Sequence, residues 1–257
     1  MSTKGRTKFT VGGNHPLLPL LRDRLIQKGY ALIPWTDKPD FVLFGVPTTF
    51  ESFESSMDQL CSLAQVITQA ELPVLLLSDG TECPSTPLKP RTGRFLLART
   101  AEYLFTRGTR TMVLRPFNVY GEDIRYGVIH TFIEHARRGE PLPVNGNAYQ
   151  LRAFLHQDDF YEAFDKLLYK FIRGARGIYD VGSGLKHNIS IKRLADSIWQ
   201  LTWPHDMVTV QADEHILYTG VDGGQQHKVA SIQKLVNFIN WKPKVSLRTG
   251  LWQLIEG

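Results

Sequence analysis

The sequence predicts an α/β fold: a doubly wound parallel sheet with helices on both faces, followed by a smaller C-terminal α/β lobe. Short strand-like apolar runs alternate with stretches of helical period, the pattern of parallel strands joined by helical crossovers. The 257 residues exceed the needs of one minimal domain and suit a single α/β unit with an appended lobe. Hydrophobic residues make up 42% and charged residues 21% of the chain, with 14 Phe, 9 Tyr and 5 Trp. That is enough to bury a core, and it excludes collagen-like and disordered chains.

Taken in order, segments 8–11, 31–34, 41–46, 73–78 and 111–115 read as strands of the sheet. Segments 16–28 and 92–105 read as crossover helices. Between them Phe53, Met57, Leu60, Ala64 and Ile67 step by fours and threes, so 52–70 is an amphipathic helix. Phe160, Phe164, Leu167, Leu168 and Phe171 mark a later helix with a core-facing stripe. The Pro-rich stretch 83–90 reads as a surface loop, and the expected division places one domain at 1–120 and the lobe at 121–257, with some segments returning to the sheet.

Thirty Lys and Arg against 25 Asp and Glu give a net charge of +5, which permits an anionic ligand without requiring one. The basic residues are scattered and lack interleaved aromatics, so a solvated surface is expected and a nucleic-acid groove is not. No run approaches the roughly 18 apolar residues of a membrane-spanning helix. Lys4, Arg6 and Lys8 are followed by Val-Gly-Gly-Asn-His-Pro, which interrupts the apolar core of a secretion signal, so a cytoplasmic location is expected. Cys61 and Cys83 show no CxxC spacing and are expected as free thiols. The histidines show no ligand spacing, and no metal is expected.

Arg115-Pro-Phe-Asn-Val-Tyr-Gly121, directly after a strand, resembles the RxxNxYGP region of the extended short-chain dehydrogenase/reductases, the NAD-dependent epimerase/dehydratase family of nucleotide-sugar enzymes. The likeness continues in the same order through Gly139 to Asp159, similar to GxPLxxxGxGxQxRDFxHVDD. It runs on through Gly177-Ile-Tyr-Asp-Val-Gly-Ser-Gly184 with Ile189-Ser-Ile191, and through Ala230-Ser-Ile-Gln-Lys234 and Asn240 to Leu251. The resemblance implies a Rossmann-like sheet with a substrate lobe, and a nucleoside diphosphate-sugar as ligand. The family's ligand contacts map to Asn118, Asn145 and Arg152, and a second family arginine is replaced by His227-Lys228. Arginine forks two hydrogen bonds onto a diphosphate. Arg152 therefore reads either as an anion ligand or as the partner of Asp158 or Asp159.

The N-terminal half departs from the family where its chemistry resides. Gly12 and Gly13 match the first two glycines of GGAGFIG, but His15 and Leu18 stand where the later glycines belong, and side chains crowd the phosphate approach. Gly12-Gly13 reads first as a tight strand-to-helix turn, with a cofactor contact as the alternative. Asp37 stands where an acid would hold the ribose, or is an ordinary turn aspartate. The strand and helix that normally follow it are missing, so the sheet is expected to be shortened. Aligning Arg99-Thr-Ala-Glu-Tyr-Leu104 with the family's LAAEYL puts Arg94 and Ala98 at the catalytic Tyr and Lys positions. Neither exchanges a proton at neutral pH. Tyr103 matches a structural tyrosine and is expected in the core, and Ser78-Asp-Gly-Thr81 offers hydroxyls near the family's Ser/Thr position.

The leading expectation is thus a degenerate member that binds a nucleotide-sugar without NAD-dependent redox catalysis and without a cofactor. An active epimerase, dehydratase or reductase using NAD(P) through altered contacts is the alternative, and a regulatory protein on a dehydrogenase fold is the second. The resemblance further implies a homodimer formed by helices 52–70 and 92–105.

Overall fold

The computed structural model describes residues 6–48, 52–80, 90–206, 213–221 and 227–257. Contacts divide the chain into two units, Met1–Pro116 with Leu167–Tyr179, and Phe117–Lys166 with Asp180–Gly257. In chain order the first unit carries β1 (Lys8–Gly13), α1 (Leu18–Gln27), β2 (Ala31–Leu32), β3 (Phe41–Gly45), α2 (Phe53–Gln69), β4 (Val74–Leu77), α3 (Pro90–Gly108) and β5 (Thr111–Pro116). Then follow β6 (Val119–Tyr120), α4 (Val128–Arg137), β7 (Leu142–Val144), β8 (Leu151–Ala153), β9 (Leu155–His156), α5 (Gln157–Ile172) and β10 (Gly177–Val181). The chain ends with β11 (Asn188–Ser190), α6 (Ile191–Thr202), β12 (Ile216–Tyr218), β13 (His227–Lys228), α7 (Gln233–Ile239) and α8 (Leu247–Glu256).

The first unit is built on a six-stranded sheet in the order β10-β5-β4-β3-β1-β2. β1 pairs in parallel with both β2 and β3, and β3, β4 and β5 continue in parallel. The chain leaves β1 for β2 on one side and then returns to β3 on the other, so the order reverses between β1 and β3. In open α/β sheets that reversal opens the ligand crevice. The usual doubly wound order has a further strand outside the second, and here β2 is the edge among the described residues.

All five residues of β3, Phe-Val-Leu-Phe-Gly, are buried, as a strand covered on both faces requires. Val42 and Phe44 join Leu60, Ala64 and Ile67 of α2 and Leu97, Ala101 and Phe105 of α3. Phe41 turns the other way, its ring 5.8 Å from Phe9 and 5.5 Å from Phe171. Helix α2 begins where Ser52 Oγ accepts the Ser55 N–H at 3.3 Å. Residues 31–34 were expected as one strand, but β2 covers Ala31–Leu32: the Ile33 N–H still donates to the Phe9 carbonyl at 2.9 Å, and beyond it the chain turns through Trp35–Asp37. Tyr103 is not in the core either. Ala98, Ala101 and Phe105 form the inward stripe of α3, and at 3.6 residues per turn Tyr103 falls outside it, 61% exposed, with the Arg107 guanidinium 5.5 Å from its ring.

The second unit packs α4, α6 and α8 around β7, with Tyr120, Phe132, Leu142, Ile198, Trp199 and Leu251 in its core. Its strands pair as β11-β8-β13, β12-β7 and β6-β9. Gly250 lets α8 pass over Tyr120: a β-carbon there would come 2.2 Å from the phenol oxygen. Burial first, and the Asp159 carboxylate second, raise the Tyr120 pKa, so the phenol stays protonated. Asp159 accepts the N–H groups of Lys244 at 3.0 Å and Val245 at 2.9 Å, tying the start of α5 to the segment before α8. No helix among the described residues is long and apolar enough to cross a membrane.

Candidate functional site

Gly12 and Gly13 end β1 at the point where the strand order reverses. Gly13 has φ 79°, and a β-carbon there would stand 2.0 Å from the Gly45 carbonyl oxygen, so its glycine is demanded by the close approach of β1 and β3. Both glycines thus have a packing reason. The next residues form the entrance to α1, whose first N–H groups would face a phosphate. Pro16 and Pro19 have no N–H. The N–H of Leu17 donates to His15 Nδ1 at 3.1 Å, and that of Leu18 to the His15 carbonyl at 2.8 Å. A phosphate arriving here meets no unbonded amide from residue 16 to residue 19, and the turn as folded does not fit a dinucleotide pyrophosphate. Asp37 is exposed and accepts from its neighbour Thr36 Oγ1 at 3.0 Å.

Ala98 is fully buried against the sheet, so no side chain that reacts with a ligand stands at that position. Arg94 is 37% exposed and lies 3.7 Å from the Asp79 carboxylate. Eight residues beyond Arg94, α3 carries the centre of a polar network that sequence reading did not assemble. Buried Glu102 takes the Ser78 hydroxyl at 2.6 Å, Arg99 Nη2 at 3.0 Å and Arg115 Nε at 2.8 Å on one oxygen, while Arg115 Nη2 reaches the other. Ser78, a hydroxyl candidate from the sequence, therefore serves the fold. Thr81 and Cys83 lie outside the described residues, and Cys61 is an exposed free thiol on α2.

In the second unit two predicted residues come together. Arg152 on β8 and Lys228 on β13 are register partners of parallel strands, so both side chains leave the same face of the three-stranded sheet. Arg152 Nη1 also donates to the Leu151 carbonyl at 2.8 Å. Asp158 lies 3.5 Å from His156 Nδ1, and Asp159 is engaged by the backbone of 244 and 245. Asn118, at φ 45°, donates from Nδ2 to the carbonyls of Ala153 at 3.0 Å and Lys228 at 3.1 Å, bracing the two strands that carry the cations. Asn145 is exposed and accepts from Thr219 Oγ1 at 2.6 Å.

Residues 95–182 match the model of the NAD dependent epimerase/dehydratase family. The UDP-N-acetyl-alpha-D-glucosaminuronate decarboxylase of Bacillus cytotoxicus is 30% identical over 287 aligned positions, which take in 98% of this chain and 86% of that protein. The chain belongs to the NAD-dependent epimerase/dehydratase family. UDP-glucuronic acid decarboxylase 6 of Arabidopsis thaliana is 29% identical over 153 residues, 58% of this chain and 41% of that protein, so the match spans less than half of the plant enzyme. In fold the chain is similar to the Bordetella bronchiseptica enzyme WbmG, solved in complex with NAD, with a TM-score of 0.73, 16% identity, and coverage of 98% of this chain and 94% of that one.

For an epimerase/dehydratase family member, two features escaped the sequence reading. One is a cleft of about 510 Å³ within the second unit, walled by α4 and the first residues of α5, to which Arg125, His130 and His156 contribute. None of Asn118, Asn145, Arg152 and Lys228 lines it. The other is a group of ligand-type side chains, Asp196, Asp213 and His215, whose donor atoms lie within 4.8 Å of one another among the described residues. Lys192 Nζ already supplies a cation there, 2.6 Å from Asp213 and 3.3 Å from Asp196, and the Asp213 hydrogen bond above all raises its pKa. No spacing rule would have found either, because each is assembled by tertiary packing.

Proposed function

We propose that the protein binds a nucleoside diphosphate-sugar, or a closely related anionic ligand, through Arg152 and Lys228, and that it does so without NAD-dependent redox catalysis. The observation that carries this reading is the register of β8 against β13, which sets two cations side by side on one sheet face. Two adjacent charges suit a diphosphate, and the forked guanidinium adds directionality. The names of the Bacillus and Arabidopsis relatives, decarboxylases of UDP-linked sugar acids, favour a UDP-linked sugar. Against redox chemistry stand Arg94 and Ala98 at the positions of the family's Tyr and Lys, and the occupied amides of the β1–α1 turn. The NAD held by WbmG supports the alternative of an active enzyme, and titration with NAD separates the two readings.

Calorimetry with UDP-glucose, UDP-glucuronate and dTDP-glucose tests the proposal. The wild-type protein is expected to bind at least one of them, and Arg152→Ala to weaken that binding by roughly ten- to a hundredfold, the equivalent of about 1.5–3 kcal/mol for a charge-assisted hydrogen bond. Affinity unchanged in a folded Arg152→Ala protein refutes the assignment.

The same reading includes a homodimer formed through α2 and α3, on which Val66, Leu96 and Tyr103 are exposed apolar groups. Sedimentation at tens of micromolar should report twice the chain mass, and replacing Val66 and Leu96 by Glu should halve it. A wild-type monomer refutes this part.

A further inference from the structure

We propose that the first unit carries its own stand-ins for a dinucleotide: the imidazole of His15 occupies the phosphate position of the β1–α1 turn, and the indole of Trp35 fills the path from that turn toward Asp37. The inference rests on the reading of a family member without NAD-dependent chemistry and adds how the cofactor crevice is closed.

Three contacts carry it. His15 is buried, 7% exposed, and packs on Gly45 at the reversal point of the sheet, where a β-carbon on Gly45 would come 2.6 Å from His15 Cβ. Its Nδ1 accepts the Leu17 N–H as a phosphate oxygen would, so that amide at the helix entrance is satisfied from within. On the other side of the turn, a β-carbon on Gly12 would stand 3.2 Å from Trp35 Cζ2 and 3.0 Å from Phe44 Cδ2. Trp35 belongs to the same short turn as Asp37, the residue placed to hold a ribose, and its indole packs with the apolar cluster beneath. A bound dinucleotide runs from the helix entrance to the acid that follows the second strand. Here that course is taken by an imidazole and an indole of the chain itself. Gly12 and Gly45 thus serve close approach of the side chains of Trp35 and His15, while Gly13 serves close approach of the β3 backbone.

Calorimetric titration of the wild-type protein with NAD and with ADP should give no saturable binding up to millimolar concentration, and micromolar affinity for either overturns the proposal. The double variant His15→Gly, Trp35→Ala should bind ADP at least tenfold more tightly than wild type. A double variant with an unchanged circular dichroism spectrum and no such gain also overturns it. Should that variant fail to fold, the wild-type protein still decides: its long-range 1H–15N spectrum must show His15 as the Nε2–H tautomer with Nδ1 unprotonated, and an Nδ1–H tautomer overturns the capping role. Titration of UDP-glucose and UDP-glucuronate into the same wild-type sample keeps the two readings apart, since its failure counts against the nucleotide-sugar site and leaves the closed turn standing.

Discussion

Ser78 follows β4 and Ser183 follows β10, and both are buried, at 0% and 6% exposure, yet their hydroxyls fare differently. Ser78 Oγ donates to Glu102 at 2.6 Å, inside a network that also holds Arg99 and Arg115. Ser183 Oγ, between Gly182 and Gly184, has no hydrogen-bond partner among the described residues. At the strand ends of the first unit, Ser78, Leu17 and Leu18 all reach partners supplied by the chain. Beyond the end of β10 one buried hydroxyl finds none among the described residues. Since an unpaired buried polar group costs about 1–3 kcal/mol, the contrast separates a hydroxyl settled by the chain's own contacts from one that is not.

Removing the centre of the first network should have the largest effect. Glu102→Ala leaves two guanidiniums and a buried hydroxyl without their shared acceptor. Because Arg99 and Arg115 keep 26% and 24% exposure, a loss of about 3 kcal/mol is expected, at the low end for a broken buried pair, measured by urea denaturation. A loss below about 1 kcal/mol would dissolve the comparison. Ser78→Ala and Ser183→Ala sharpen it as a matched pair. The first should cost about 1.5–3 kcal/mol, the net worth of a hydrogen bond to a charged group, and the second should leave stability unchanged or raised, since it deletes a hydroxyl with no partner among the described residues. Equal losses in the two variants would mean that Ser183 has a partner after all.

The alternation of strand and helix was legible in the sequence because each element carries its own period: the stripe of Phe53, Met57, Leu60, Ala64 and Ile67 needs no tertiary information to read. So were the segments resembling the family, including the loss of glycines at His15 and Leu18. Local chemistry was less so. β2 gives way to the turn at Trp35–Asp37 against the apolar pattern around it, and Tyr103 lies outside the core because the phase of its own helix overrides the match to a family segment. The Glu102 network joins residues 24 and 13 positions apart, and no periodicity links them. The lean of Trp35 onto Gly12 is likewise a product of packing. Arg152 and Lys228 could each be named from the resemblance, but their adjacency is set by strand register, which a single sequence does not encode in any local pattern.

The place of β2 at the sheet margin has a bearing on how the protein behaves in company. A sheet that loses its outermost strand acquires a new rim, and a rim of unpaired N–H and carbonyl groups invites other chains to add to it. Among the described residues this rim is two residues long, Ala31–Leu32, and two positions on stands Pro34, which has no N–H to offer. A foreign strand would find footing for barely one pair of bonds before the chain turns away at Trp35–Asp37. So short an edge is a poor template for growth, and self-association through this margin is disfavoured even at high concentration.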